Sequence, residues 1–202
     1  MFGKIAADAL GLSDIGVIVP PADYNKVDAD DYLFHEDGEK IFFLIKSKKD
    51  EYCFTNLGVI HVDGDSAVSS KRSIKRYDFS RVAVHGVSIE TAGTVDRDVE
   101  LKFVLGDVPF SIDVKKSFIE PLKDIYKALI AIGRQQHKDE VARENALRCL
   151  GAAASAFKIS QPAGDDALPR QFNGLLSALN EAMLVTHTTR DYSAVFDRYI
   201  HG

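Results

Sequence analysis

The sequence VELKFVLGDVPFSIDV, residues 99–114, carries the clearest structural signal in the chain. Its apolar residues alternate with polar ones on both sides of Gly106-Asp107, which is the pattern of two half-buried strands joined by a tight turn. Shorter apolar runs separated by turn residues precede it from residue 40 onward. This order predicts an α+β protein whose main body is an antiparallel sandwich or barrel of about seven strands.

The earlier strands are predicted from weaker signals. The continuous apolar run at residues 41–45 is typical of a strand that is covered on both faces. Further strands are expected at residues 52–54 and 59–62, and a mostly polar one at residues 70–79. The acidic segment before them, residues 23–39, is interpreted as a polar lead-in to the sandwich.

The strand predicted at residues 82–89 changes its buried face midway, because Val84 and Val87 have opposite parity. A one-residue slip would restore the alternation. We therefore predict a β-bulge at His85-Gly86, where glycine accommodates the irregular backbone.

One amphipathic helix is expected to close the open end of the sandwich. Its apolar stripe recurs at spacings of four and three residues from residue 118 to residue 132. Pro121 lies in the first turn, where a missing N–H is tolerated. The stripe consists of Phe118, Leu122, Ile125, Leu129 and Ile132.

Several motifs together resemble the bacterial pleckstrin-homology (PH) domain family. They are residues 54–56 (Phe-Thr-Asn), residues 87–94 with their Glu-Thr-Ala-Gly turn, and the acidic loop and strand at residues 96–102. The resemblance covers residues 1–132 and implies a seven-stranded sandwich capped by a helix, with a tendency to assemble into rings. It implies neither an enzymatic activity nor an agreed ligand. Similar proteins follow Thr-Asn with a Lys-Arg pair, whereas this chain has Leu57-Gly58.

The chain is interpreted as three parts: an N-terminal helix and lead-in at residues 1–30, the PH-like barrel with its capping helix at 31–132, and a helical hairpin extension at 133–202. A polar link is expected at residues 135–138, and a short third helix near residues 192–199. Some members of the family carry a helical oligomerisation extension, and a hairpin of this size makes a weak core by itself. The residues predicted to mediate oligomerisation are Leu147, Leu150, Phe157, Phe172, Leu176, Leu179 and Met183.

Two groups of bases are candidate ligands for an anion. One lies at the first predicted hairpin and the other on the mostly polar strand. The competing interpretation is a solvated hairpin tip and a charged sheet edge that discourages aggregation, and we favour it. The candidate ligand-binding residues are Lys46, Lys48, Lys49, Lys71, Arg72, Lys75 and Arg76.

No catalytic residue, metal ligand or cofactor is predicted. Phosphate-binding loops, dinucleotide fingerprints and nucleophile elbows are missing from the sequence. Asp63-Gly64-Asp65 lacks the later ligands of a calcium loop, and His61 and His85, although able to approach each other across a sheet, are interpreted as packing residues. We therefore expect a protein that is not an enzyme.

The partner we expect is a second copy of the chain, in a homo-oligomer that is cyclic. A formal charge of −5 argues against nucleic acid and against an anionic membrane. No stretch is long enough to span a bilayer. The apolar stripe in residues 1–12 could lie on a membrane surface, but we favour a role in capping the fold or a neighbouring subunit.

Cys53 and Cys149 lack the spacing of a metal or redox pair, so both are expected to be buried thiols in a reducing, cytoplasmic environment. Three hypotheses for function follow. The leading one is a self-assembling scaffold or binding module. The alternatives are a peripheral module that binds anionic lipid or phosphate, and an adaptor that binds a peptide or protein in a groove between an edge strand and the closing helix.

Overall fold

The structure is a computed structural model, and it describes residues 13–64, 72–91, 98–159, 167–180 and 188–200. Within these ranges, eight strands precede three α-helices. Short 3-10 helices lie at Pro21–Lys26, Asp28–Tyr32, His35–Asp37 and Lys116–Phe118. The strands are β1 (Val17–Ile18), β2 (Ile41–Lys46), β3 (Glu51–Thr55), β4 (Gly58–Gly64), β5 (Arg72–Asp78), β6 (Val84–Glu90), β7 (Asp98–Leu105) and β8 (Val108–Lys115), and the helices are α1 (Ile119–Ile159), α2 (Ala167–Asn180) and α3 (Ser193–Tyr199).

The predicted α+β fold is confirmed. The strands form a five-stranded sheet in the order β1 to β5 and a three-stranded sheet in the order β6 to β8, with antiparallel neighbours throughout. The seven predicted strands correspond to β2 through β8, whereas β1 was not predicted. Beside β1, the Gly16 N–H donates to the Asp113 carbonyl over 2.7 Å, and the Lys115 N–H donates to the Gly16 carbonyl over 3.0 Å. These bonds join the two sheets at one corner.

The main core lies between the two sheets and is closed by the first half of α1. The predicted helix stripe is confirmed: four of its five residues are fully buried and the fifth, Phe118, packs against them. Each buried apolar side chain of this size contributes about 1.5–3 kcal/mol relative to an exposed position. The fully buried stripe residues are Leu122, Ile125, Leu129 and Ile132.

A second apolar layer covers the outer face of the five-stranded sheet. The chain before β2 folds across this face in its 3-10 helices and buries Val27, Ala29 and Leu33 there. Strands β2 to β4 are therefore covered on both faces, which explains the continuous apolar run in β2. The expectation of a merely polar lead-in at residues 23–39 was incomplete, because three of the eight buried residues of this layer lie in that segment.

The predicted β-bulge is confirmed. The register between β6 and β7 shifts between His85 and Ser88. Gly86 has a φ of 62°, a conformation that glycine adopts without the steric cost of a side chain. The bulge keeps both Val84 and Val87 in contact with the core despite their opposite parity.

Helix α1 does not end at the capping stripe but continues to Ile159 as a single helix of 41 residues. The polar link expected at residues 135–138 is therefore wrong. Glutamine and lysine are good helix formers, and here they occupy exposed or half-buried positions of α1. The chain divides into two compact units: residues up to Gly133 together with those from Arg190 onward, and Arg134–Thr189. The predicted domain limits at residues 30 and 132 stay a prediction.

The first and last parts of the second unit lie close together. The Thr189 N–H, after α2, donates to Asp139 Oδ2 over 2.7 Å, so the backbone returns to the level of α1 at which the unit began. Helix α3, the predicted third helix, packs on the sandwich. Its Tyr192 and Phe196 are buried in the main core.

Candidate functional site

The predicted anion-binding residue Lys46 is buried in an ion pair within the chain. Its side chain is 10% exposed, and its Nζ forms a hydrogen-bonded ion pair with the buried carboxylate of Glu51. Glu51 also accepts hydrogen bonds from the backbone N–H groups of Asp28 and Ala29, over 3.2 and 2.9 Å. The pair therefore ties the outer 3-10 layer to the β2–β3 hairpin and is turned away from solvent ligands.

Arg76 is held in a second internal ion pair. Its guanidinium donates to both carboxylate oxygens of Glu39 over 3.1 and 2.9 Å, and to Asp78 over 2.7 Å. The same guanidinium lies 4.5 Å from the ring centroid of Phe34, which is 50% exposed. These contacts use the planar face and most of the donors of Arg76.

Glu39 is the most enclosed carboxylate of this group, with a side chain that has no exposed surface. Thr55 Oγ1 donates to it over 2.6 Å and the Phe34 N–H over 2.8 Å. Burial by itself would raise the pKa of Glu39, but the hydrogen bonds from Arg76, Phe34 and Thr55 outweigh burial and lower it. Glu39 is thus ionised in the folded protein and neutralises Arg76.

The other candidate bases lie at the surface, and the structure does not bring them to one point. Arg72 pairs with Asp28 over 3.3 Å, Lys75 with Asp63 over 3.1 Å, and Lys49 with Asp14 over 3.8 Å. Among the described residues, Lys48 has no acidic partner. Lys71 lies outside the described residues. Anion binding by this set stays a prediction, and Lys48 and Lys49 are its most accessible members.

Of the residues predicted to mediate oligomerisation, those whose side chains the structure describes lie at exposed or half-buried positions of α1 and α2. Leu147 on α1 is 56% exposed, and its neighbour Leu150 is half-buried. On α2, the predicted Phe172, Leu176 and Leu179 are half-buried. The side chain of Phe157 and the whole of Met183 lie outside the described residues.

Two further apolar side chains of this unit are exposed although they were not among the predicted residues. Val141 on α1 is 42% exposed and Leu175 on α2 is 41% exposed. Ala146 is fully buried, whereas the adjacent Leu147 is exposed. Both helices therefore present large apolar side chains to solvent in a single copy.

The Thr55-Asn56 motif has a structural role, because both residues form hydrogen bonds within the chain. Asn56 accepts a hydrogen bond from the Lys40 N–H over 2.9 Å and donates to Asp191 Oδ2 over 2.9 Å, while its carbonyl accepts from the Tyr192 N–H over 2.9 Å. Asn56 and Asp191 are 135 residues apart, so no local sequence pattern could reveal this contact.

The departure at Leu57-Gly58 has a structural reason. A side chain at position 58 would collide with the Tyr77 carbonyl oxygen of the paired strand β5. A base at that position is therefore incompatible with this backbone, and an anion site built on it is excluded.

The remaining chemistry-bearing side chains in the described part of the chain are not brought together into a site. His61 stacks on Tyr52 and lies 3.2 Å from Asp50, whereas His85 belongs to the other sheet, so the two histidines do not meet across one sheet. The described ranges hold no cluster of three or more His, Cys, Asp or Glu side chains suited to a metal ion.

Cys53 is buried and its burial raises the pKa of the thiol. Cys149 is exposed on α1, so the expectation that both thiols are buried was wrong. In the parts of the chain that the structure describes, no helix combines the length and hydropathy needed to cross a bilayer.

Comparisons with known proteins agree with the fold. The family model described as "Bacterial PH domain" matches residues 9–132. The chain is 49% identical over 206 residues to a Bacillus subtilis (strain 168) protein described as "Uncharacterized protein YvbH", and the match covers all of both chains. It also resembles the crystal structure of a PH-domain-containing bacterial protein from Exiguobacterium sibiricum 255-15, with 42% identity, a TM-score of 0.82, and coverage of 93% of this chain and 100% of that one. The chain therefore belongs to the bacterial PH domain family.

Proposed function

We propose that this protein is a non-enzymatic, self-assembling scaffold whose PH-like sandwich is carried into a cyclic homo-oligomer by the helical segment 134–189. The observation that carries the proposal is the exposed apolar surface of that segment. Val141, Leu147 and Leu175 are each more than 40% exposed in a single copy. Burial of these side chains against a second copy would remove apolar surface from water, which favours association.

The sandwich supports this proposal, because most of its candidate anion-binding bases are already paired. Five of the candidate bases are paired with acids of the same chain, at Lys46, Lys49, Arg72, Lys75 and Arg76. A module for phosphate would leave several bases free and convergent. The residues of the family motif, Thr55 and Asn56, also serve internal contacts.

A ring requires contacts between two different surfaces of neighbouring subunits, and such contacts close when their rotation allows. Leu147 lies on α1 and Leu175 on α2, so the helical segment can supply both surfaces of such a contact.

The experiment that tests the proposal places one glutamate on each exposed helix position, as Leu147→Glu and Leu175→Glu in the same chain. We expect the full-length protein to be an oligomer at micromolar concentration by size-exclusion chromatography with light scattering, and the double variant to have a smaller mass. Burying a charge in an apolar interface without a partner is strongly unfavourable.

The matched control is Asn145→Glu with Ser177→Glu, which adds the same charge to exposed polar positions of the same two helices. It should keep the mass of the parent protein. A monomeric parent, or a double variant that assembles like the parent, contradicts the proposal.

A further inference from the structure

Helix α3 is a short helix on the surface of the sandwich, and its helical structure depends on its contacts with the sandwich. It has seven residues, Ser193–Tyr199. Helices of that length are not stable alone in water. Its Ala194, Asp197 and Arg198 are exposed, so only one face of the helix is in contact with the sandwich.

The groove is built from aromatic side chains. Phe196 of α3 stacks on Phe42 of β2 with ring centroids 5.0 Å apart and an interplanar angle of 17°. Tyr192 meets the ring of Phe79 edge-on at 5.4 Å, and Phe196 lies 6.4 Å from the same ring. Pairs of this geometry contribute beyond the area that they bury. The two inserted side chains, Tyr192 and Phe196, are spaced one helical turn apart.

Asn56 is a polar clamp at the beginning of the bound segment. Its side chain donates to Asp191 and its carbonyl accepts from the Tyr192 N–H. Asp191 also accepts from the Ser193 N–H over 2.7 Å, which fixes the first turn of α3. The site therefore recognises an aspartate, an aromatic residue directly after it, and a second aromatic residue four positions further.

The bound segment is attached to the sandwich covalently only through residues 134–189. No strand of either sheet is continuous with α3 in sequence, and exposed residues, Arg190 and Asp191, join it to the second unit. Opening the contact thus requires no strand to separate. This is the arrangement of a helix bound in a groove, here with the ligand supplied by the same chain.

We propose that this groove, formed by Phe42, Phe79 and the Asn56 clamp, is a recognition site for a short Asp-Tyr-x-x-x-Phe helix, and that α3 of a second copy of the chain occupies it by exchange with the chain's own α3. A second copy carries an identical segment, so its complementarity to the groove is the same. The covalent link keeps the chain's own helix in place most of the time. The inference goes beyond the proposed function, since exchange does not use the exposed apolar residues of α1 and α2.

The test uses a fluorescein-labelled peptide with the sequence of residues 188–200 and the full-length chain carrying Phe196→Ala. We expect the peptide to bind this chain, measured by fluorescence anisotropy, and to bind the unaltered chain at least about tenfold more weakly because the chain's own helix competes. A peptide with Phe196→Ala should not bind. A peptide with Arg198→Ala, changed on the exposed face, should bind like the parent.

Equal binding of the parent and Phe196→Ala peptides, or no binding to a folded Phe196→Ala chain, overturns the proposal. Hydrogen exchange of the unaltered full-length protein gives a second test that needs no variant. Amides of α3 should exchange at least about tenfold faster than those of β7 and β8, because the groove opens while the sheets persist. Equal protection of α3 and the central strands contradicts exchange. Neither result depends on whether the helical segment 134–189 assembles.

Discussion

Replacement of Glu39 probes the polar contact on which the edge of the five-stranded sheet depends. The carboxylate has no exposed surface and accepts hydrogen bonds from Arg76, Thr55 and the Phe34 N–H. Glu39→Ala leaves these donors without their acceptor, and removing one partner of a buried ion pair costs about 3–5 kcal/mol. Glu39→Gln keeps the shape but loses the charge opposite Arg76, which we expect to cost about 1.5–3 kcal/mol.

The sign of the pH dependence follows from the pKa of Glu39, which is lower in the folded protein than its ordinary value of 4.5. The unfolded chain therefore binds a proton before the folded protein does as pH falls. The stability contributed by Glu39 is fully present above pH 4.5 and is lost as pH falls through the lower folded-state pKa. The difference between the parent and Glu39→Gln should be largest near neutral pH and should shrink in acid.

The assay is urea unfolding followed by circular dichroism, since the chain contains no tryptophan. Glu120→Gln is the matched control, because it removes the same charge from an exposed pair with Lys123. The control should change stability by less than about 0.5 kcal/mol. Equal stability of Glu39→Gln and the parent at pH 7, or a difference that grows as pH falls, would refute the reasoning.

Three further predictions concern the closing helix, the bulge and the surface bases. Leu129→Ala should destabilise the protein by about 2–5 kcal/mol in the same urea assay, because Leu129 is fully buried, whereas exposed Lys127→Ala should be near neutral. Gly86→Ala should cost about 1 kcal/mol or more because of its positive φ, and an unchanged midpoint would show that the bulge tolerates a side chain. Lys48→Glu with Lys49→Glu should leave flotation with anionic liposomes at low salt unchanged; loss of a clear parental signal would instead favour the lipid-binding hypothesis.

The sandwich could be predicted because its signals are local. The period of two in residues 99–114 and the turn at Gly106-Asp107 determine one hairpin without reference to the rest of the chain. The bulge at Gly86 was predictable for the same reason, since a parity change lies within a single strand.

The parts that were missed depend on distant contacts. Strand β1 has two residues, too few for a period, and is defined by its partners in β2 and β8. The 3-10 layer buries Val27 and Leu33 without any regular spacing. The continuation of α1 was missed because Gln135 and Lys138 were interpreted as a loop, although both residues favour helix on an exposed surface.

Candidate sites were predicted less completely than the fold, because composition locates charges but not their partners. Lys46 and Arg76 were predicted as candidate anion ligands from their charge, but the acids that pair with them lie 5 and 37 residues away in the sequence. The contact of Asn56 with Asp191 spans 135 residues. On the helices, spacing identified Leu147 but could not distinguish a face buried within one copy from a face left exposed.

The central claim is that the helical segment, and not the sandwich, assembles the protein. Asp139 and Thr189 are joined by a 2.7 Å hydrogen bond, so residues 140–188 can be replaced by a linker of about four Gly and Ser residues while α3 is retained. Light scattering of this variant beside the full chain is the most direct measurement. We predict an oligomer for the full chain and a folded monomer for the variant; the same number of subunits in both would contradict the account.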